Sequence, residues 1–170
     1  DTAPGTLTAM AERAVAMARE APEDPYAGLA DAAQIARDWA VASLELADPA
    51  PEPAPAALEE DARAAETAAM AVSGVTQVQG ASSGYSAQDV HLSATNGFSG
   101  GYRRTGRSTS CVAIAGEGLG MERDYDGDSR IFQADLRAAD EIGRTAGERA
   151  VDRLTPRKPR TGAYPVLFDE

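Results

Sequence analysis

Apolar residues recur at helical spacing in three parts of the chain. They predict an amphipathic helix over residues 6–20, an alanine-rich helix that ends at Gly74, and a last helix that begins near Asp140 as its N-cap. The last helix carries Gly143 and Gly147 one turn apart on its apolar face. Because glycine weakens a helix unless something approaches closely, we expect a backbone, that of a sheet, to press against this face. A weaker helix is expected over residues 31–38.

Between the second and third helices the apolar period changes to two, which is typical of strands. Asn96-Gly97 is a strong hairpin signal and predicts a type I′ turn. The strand after it carries Val112 and Ile114 on one face, and three alternating glycines that follow fit a tight turn better than a nucleotide-binding loop. We expect a meander of roughly four antiparallel strands, which begins near Val75 and includes strands over residues 101–115 and 121–126. A separate terminal strand is expected over residues 164–168.

These elements predict an α+β fold, in which a helical N-terminal arm precedes an antiparallel β-meander packed by helices. Alternating prolines over residues 48–55 favour an extended, semi-rigid tether. The expected domains are residues 1–46, the helical tail of a truncated N-terminal domain, residues 47–56, a proline-rich linker, and residues 57–170, a middle α+β domain.

Composition narrows the partners that the chain can have. Its net charge is −11 and its pI is about 4.5, which disfavours nucleic acid and anionic membranes because neutralising phosphates needs clustered positive charge. No apolar run is long enough to span a bilayer, and a single cysteine gives no disulfide framework. We therefore expect a cytoplasmic protein with no nucleic-acid or membrane partner.

The chain has one histidine, His91, and one cysteine, Cys111. A structural zinc site uses about four Cys or His ligands and a catalytic one about three protein ligands, so these two residues supply neither. His91 lies on the polar face of its strand and is expected at the surface, while Cys111 is expected to be a small packed residue. We expect no catalytic residue, no metal ligand and no cofactor in this chain, and the sequence does not indicate which residues bind a ligand.

Asp124, Asp126 and Asp128 alternate along the third predicted strand, a spacing that could suit calcium. The EF-hand pattern, however, needs glycine where Ser129 stands and glutamate where Asp135 stands. The sequence therefore favours a solvated acidic strand end over a metal site.

Arg103, Arg104 and Arg107, beside Tyr102, form the basic cluster of the sheet region. Cross-strand pairing of opposite charges favours internal ion pairs with acidic residues of the next strand, at positions 122, 124 and 126. Recognition of a substrate carboxylate or an acidic partner is the alternative.

Five segments in this order and at this spacing resemble the PmbA/TldD family, and in particular its PmbA (TldE-like) branch. They are Asp24–Ala30, Asn96–Tyr102, Gly120–Tyr125, Arg153–Lys158 and Tyr164–Phe168. The resemblance covers nearly the whole chain, and it implies that the chain is the end of the first domain and the middle domain of a longer bacterial protein.

The resemblance also implies a function. In the TldD branch a histidine–glutamate metal motif lies shortly after the segment that corresponds to residues 164–168, whereas the PmbA branch lacks the metal ligands. The parent would then be the non-catalytic subunit of a heteromeric metallopeptidase that hydrolyses unfolded peptides, with a TldD-like metallopeptidase subunit as its partner. The alternative is a regulatory protein-binding module, the modulator of DNA gyrase that the family name includes.

Overall fold

The computed structural model describes residues 2–37 and 40–168. It contains three helices and a three-stranded antiparallel sheet, which confirms the α+β class. The described residues form two compact units. The first comprises residues 2–37 with Ser93–Ser99, and the second comprises residues 40–92 with 100–168.

The first unit contains helix α1, Pro4–Glu20, which confirms the amphipathic helix expected there. Proline suits the first helical position because its missing N–H would have no partner in the helix. None of the residues of α1 is buried, and its apolar side chains Leu7, Met10 and Met17 are all exposed.

The helix expected over residues 31–38 is wrong for residues 31–37, and residue 38 lies outside the described part of the chain. One turn forms instead, in which Gln34 N–H donates to the Asp31 carbonyl at 2.8 Å and Asp31 N–H donates to Gln34 Oε1 at 2.9 Å. A segment this short cannot recover the cost of helix nucleation without packing, so one turn is what remains.

The loop between the first two strands also belongs to the first unit. Gly97 has a φ of 91°, but Asn96 is not among the residues with positive φ, so the expected type I′ turn is wrong. A wider loop closes through Ala94 N–H, which donates to the Phe98 carbonyl at 2.9 Å. Asn96 Oδ1 accepts from Phe98 N–H at 3.1 Å, a side-chain contact that replaces the two-residue turn.

In the second unit, helix α2 runs over Pro55–Met70 and helix α3 over Ala139–Asp152. Both helices confirm the periodic patterns. Asp140 is not the N-cap of α3, because the helix already begins at Ala139, with Asp140 in its first turn. There its carboxylate still lies at the positive end of the helix dipole.

The sheet has the strands β1, Val75–Ser93, β2, Ser99–Ala115, and β3, Glu122–Arg130, in the order β1-β2-β3. Strands β2 and β3 pair in antiparallel register from Arg107 opposite Arg130 to Ala115 opposite Glu122. Residues 164–168, expected as a terminal strand beyond the meander, are described but form none, and their apolar side chains are exposed. A strand needs a neighbour to satisfy its backbone groups, and periodicity alone does not supply one.

Helices α2 and α3 cover one face of the sheet, and the core between them is built from small side chains. Its fully buried members are Ala65, Ala69, Cys111, Ala113, Ala115, Ile142, Ala146 and Ala150. Val112 and Ile114, which alternate with the buried residues of β2, lie on its opposite face and are half-buried.

The glycine pair of α3 lies where this helix packs closely against α2. A Cβ added to Gly143 would lie 1.9 Å from the carbonyl oxygen of Ala65 in α2. At Gly147 an added Cβ would lie 2.8 Å from Val72 Cγ2 and 3.1 Å from the Ala69 carbonyl oxygen. The expectation of a close backbone is confirmed, but that backbone is helix α2 and not the sheet.

The proline-rich segment before α2 is hydrogen-bonded to the rest of the second unit. Asp48 N–H donates to Thr105 Oγ1 at 2.8 Å, and Asp48 Oδ2 accepts from Gln133 N–H at 2.8 Å. Gln133 Nε2 donates to the Pro51 carbonyl at 3.2 Å. Residues 48–51 are thus hydrogen-bonded to the rest of the second unit, while the linker and its boundaries at residues 46 and 56 remain predictions.

Candidate functional site

The three aspartates of β3 lie on the face of the sheet that α3 covers. The β2–β3 register places Asp124 opposite Ala113 and Asp126 opposite Cys111, both buried residues of β2. Asp126 is 5% exposed. The expected solvated acidic strand end is therefore wrong, because the carboxylates point toward a helix and not into water.

Arginines hold these carboxylates. Asp126 accepts from Arg137 Nη2 at 2.8 Å and from Arg149 Nη1 at 3.2 Å. Arg153 Nε donates to Asp124 Oδ2. Arg149 and Arg153 lie one helical turn apart at the end of α3. Their positive charges balance the negative charges of Asp126 and Asp124.

Asp128 ends this row of carboxylates. It accepts from the backbone N–H of Arg137 at 3.0 Å and from Arg130 Nε at 3.1 Å. Burial alone would raise the pKa of Asp128, but these donors outweigh it and hold the pKa below its ordinary value. Asp124 behaves in the same way: burial raises its pKa, and the Arg153 guanidinium with the Tyr125 N–H lowers it further than burial raises it.

The sequence predicted partners from the arginines of β2 and missed Arg137, Arg149 and Arg153, although it held a signal for the last two. Their spacing of four residues places them on one helical face. No comparable pattern marks Arg137, which lies just before α3 and is brought to Asp126 and Asp128 by the chain reversal after β3.

The depressed pKa values of Asp124 and Asp128 predict an acid-sensitive structure. The unfolded chain binds protons to these carboxyls more tightly than the folded chain does, so stability is highest above the ordinary carboxyl pKa of about 3.9 and falls as the pH drops through the lower native values. We expect the Asp124→Asn variant to be less stable than the unsubstituted protein at pH 7, and we expect this difference in stability to disappear in strong acid. Thermal melts over this pH range test it, and a pH-independent difference would contradict the ion-pair explanation.

The basic cluster of β2 divides into separate contacts. Arg103 Nη1 donates to Asp89 Oδ2 on β1 at 3.0 Å, and both side chains are exposed. The buried Arg107 pairs with Asp61 of α2 and donates to Ser83 Oγ at 2.8 Å and to the Gly84 carbonyl at 3.2 Å. Internal pairing is confirmed for these two arginines, but the expected partners on β3 are wrong.

The sole histidine and the sole cysteine lie in different environments. His91 is an exposed residue near the end of β1, as expected. Cys111 is buried in the core beneath α2, which confirms its packing role. Burial, with a smaller contribution from Glu66, raises the pKa of its thiol, so the reactive thiolate is disfavoured.

Within residues 2–37 and 40–168, no group of three His, Cys, Asp or Glu side chains is arranged to hold a metal ion. The nearest candidates by sequence, the aspartates of β3, are bonded to guanidinium groups. A metal ion would have to displace these arginines and leave their charges without partners, so this donor set does not fit a catalytic metal. The helices in the described part of the chain are also too short or too polar to cross a membrane.

The second unit is an α+β domain, a three-stranded sheet with two closely packed helices, and the carboxylates of β3 are paired with arginines. The chain belongs to the family described as the PmbA/TldA metallopeptidase central domain, whose model matches residues 48–154. This confirms the resemblance found in the sequence.

Three relatives define the neighbourhood of the chain. The metalloprotease PmbA of Escherichia coli O157:H7 is 32% identical over 168 residues, which are 99% of this chain and 37% of that protein. A protein from Bacteroides thetaiotaomicron VPI-5482, named as a modulator of DNA gyrase, has a structure that matches this chain with a TM-score of 0.75 at 24% identity. The match covers 93% of this chain and 36% of that protein. TldE from Thermococcus kodakarensis has a TM-score of 0.56 at 17% identity, with coverages of 82% and 30%.

Proposed function

We propose that this chain is the central domain of the non-catalytic, TldE-like subunit of a heteromeric metallopeptidase that cleaves unfolded peptides. The observation that carries the proposal is the arginine-bound row of carboxylates on β3, in a domain whose family is one of metallopeptidases. A domain that commits its acidic side chains to its own arginines serves as a support, and the metal is then held by a TldD-like partner.

The relatives support this proposal at different levels. The E. coli relative carries the name metalloprotease, and this chain spans 37% of its length, so the proposal concerns the longer parent protein. The likeness to TldE, at 17% identity, supports the fold. The cytoplasmic location and the absence of a cofactor expected from the sequence are part of the proposal.

Peptidase assays on the parent protein test it. We expect no hydrolysis of an unfolded peptide by the parent alone, and hydrolysis when the TldD-like subunit of the same organism is added. A chelator should abolish this activity, and a folded protein substrate should resist it. Metal-dependent hydrolysis by the parent without its partner would refute the assignment.

Modulation of DNA gyrase is the second candidate, because the structural neighbour from Bacteroides thetaiotaomicron carries that name. The net charge of −11 argues against direct contact with DNA, so such a modulator would have to bind protein. A change in gyrase supercoiling on addition of the parent, with no peptidase activity in the mixture, would favour this candidate.

A further inference from the structure

The two edges of the sheet differ in chemistry. The sheet order makes β1 one edge and β3 the other. Six of the nine residues of β3 are charged. In β1, by contrast, the stretch over residues 75–88 contains neither a charged residue nor a proline.

An edge strand presents unpaired N–H and C=O groups that can pair with another strand, and proteins usually block such an edge with charges, proline or a covering element. Strand β3 follows this rule. Strand β1 has no charge and no proline between residues 75 and 88, and Gln77, Gly80, Ala87 and Gln88 are exposed along it. An edge without these protections is stable against aggregation only if it is covered for most of the life of the protein.

We propose that residues 76–88 of β1 form a docking edge for a strand of the partner subunit, which pairs with it through main-chain hydrogen bonds. The inference rests on the proposed function, because that function supplies the partner. A resident strand fits better than a passing peptide, since a transient ligand would leave the edge open most of the time. A pairing over this stretch would extend for about 44 Å at 3.4 Å per residue.

Charge favours a non-identical partner over a second copy. Two copies of this chain would each bring a net charge of −11 and repel one another. Because the chain as a whole is acidic, a strand on a less acidic subunit is the complementary occupant of this uncharged edge.

Hydrogen–deuterium exchange tests the docking edge in the parent protein, measured alone and with the TldD-like subunit. We expect amides within residues 76–88 to include a fast-exchanging set in the parent alone, slowed at least about tenfold in the complex. Protection that is already complete in the monomeric parent, or that rises with its own concentration, would overturn the inference in favour of an intramolecular cover or a second copy. A complex that forms and hydrolyses peptides without protecting this stretch would overturn the inference and leave the proposed function standing.

A pair of variants adds an independent measurement. Gln77→Lys with Ala87→Lys places charges on the open edge and should weaken association with the partner about tenfold. Tyr125→Lys with Ser129→Lys adds the same two charges at exposed positions of β3, and this matched control should leave association unchanged. Equal weakening by both substitutions would point to net charge and not to the edge, and would count against the docking strand.

Discussion

Gly143→Ala is expected to lower the free energy of unfolding by about 3 kcal/mol, although alanine is the better helix former. The added Cβ would lie 1.9 Å from the carbonyl oxygen of Ala65 and 2.6 Å from its carbonyl carbon. These are backbone atoms in the middle of α2, so no side chain can rotate away and the two helices must separate. The gain from helix propensity, at most about 1 kcal/mol, does not offset this clash.

Chemical denaturation with a helical CD signal measures this effect. Two control variants separate crowding from the general cost of changing a helix. Arg144→Ala alters an exposed residue of the same helix and should change stability by no more than about 0.5 kcal/mol. Gly5→Ala makes the same substitution in α1, where no atom lies within 4 Å of the added Cβ, and should not destabilise. If the Gly143→Ala variant has the same free energy of unfolding as the unsubstituted protein, the close contact between α2 and α3 is not present in solution.

The close contact also shows what could be predicted from the sequence. The stripe that contains Gly143 and Gly147 could be identified because small and apolar residues recur at helical spacing. The structure shows that both glycines are buried. The identity of the neighbour was not, since periodicity defines a face and says nothing about what lies against it. For the same reason the sequence showed that side chains of β2 alternate between two faces of the sheet. Only the structure showed which of these faces α2 and α3 cover.

The ion pairs follow the same division. Opposite charges were expected to meet across strands, and Arg103 does meet Asp89, but on β1 and not on β3. The β2–β3 register places Arg107 opposite Arg130, so the partners expected at positions 122, 124 and 126 lie four or more residues further along the strand. This register is set by the connection over residues 116–121, whose geometry the alternation of apolar residues does not define. The pairing of Arg107 with α2 depends on tertiary packing that no local pattern encodes.

The second large effect is expected at this pair, and it should be asymmetric. Asp61→Asn leaves the guanidinium of Arg107 without a counter-charge at a position where its side chain is 6% exposed. Breaking a buried pair in this way costs about 3–5 kcal/mol, and since the Asp61 side chain is 39% exposed we expect about 2–3 kcal/mol. Arg107→Met instead removes the buried charge and keeps an apolar stem against the core, and Asp61 can turn to water. We therefore expect Arg107→Met to cost less than Asp61→Asn.

A double-mutant cycle measures this asymmetry by denaturation. The double variant Asp61→Asn with Arg107→Met should be more stable than Asp61→Asn alone, because it no longer buries an unpaired charge. Asp89→Asn is the matched control, because it removes the partner of Arg103, which like Arg107 belongs to β2. Both side chains of this pair are exposed, so the substitution should cost less than about 1 kcal/mol. Equal costs for Asp61→Asn and Asp89→Asn would show that water reaches Arg107. The link between α2 and the sheet would then rest on the small-residue core alone.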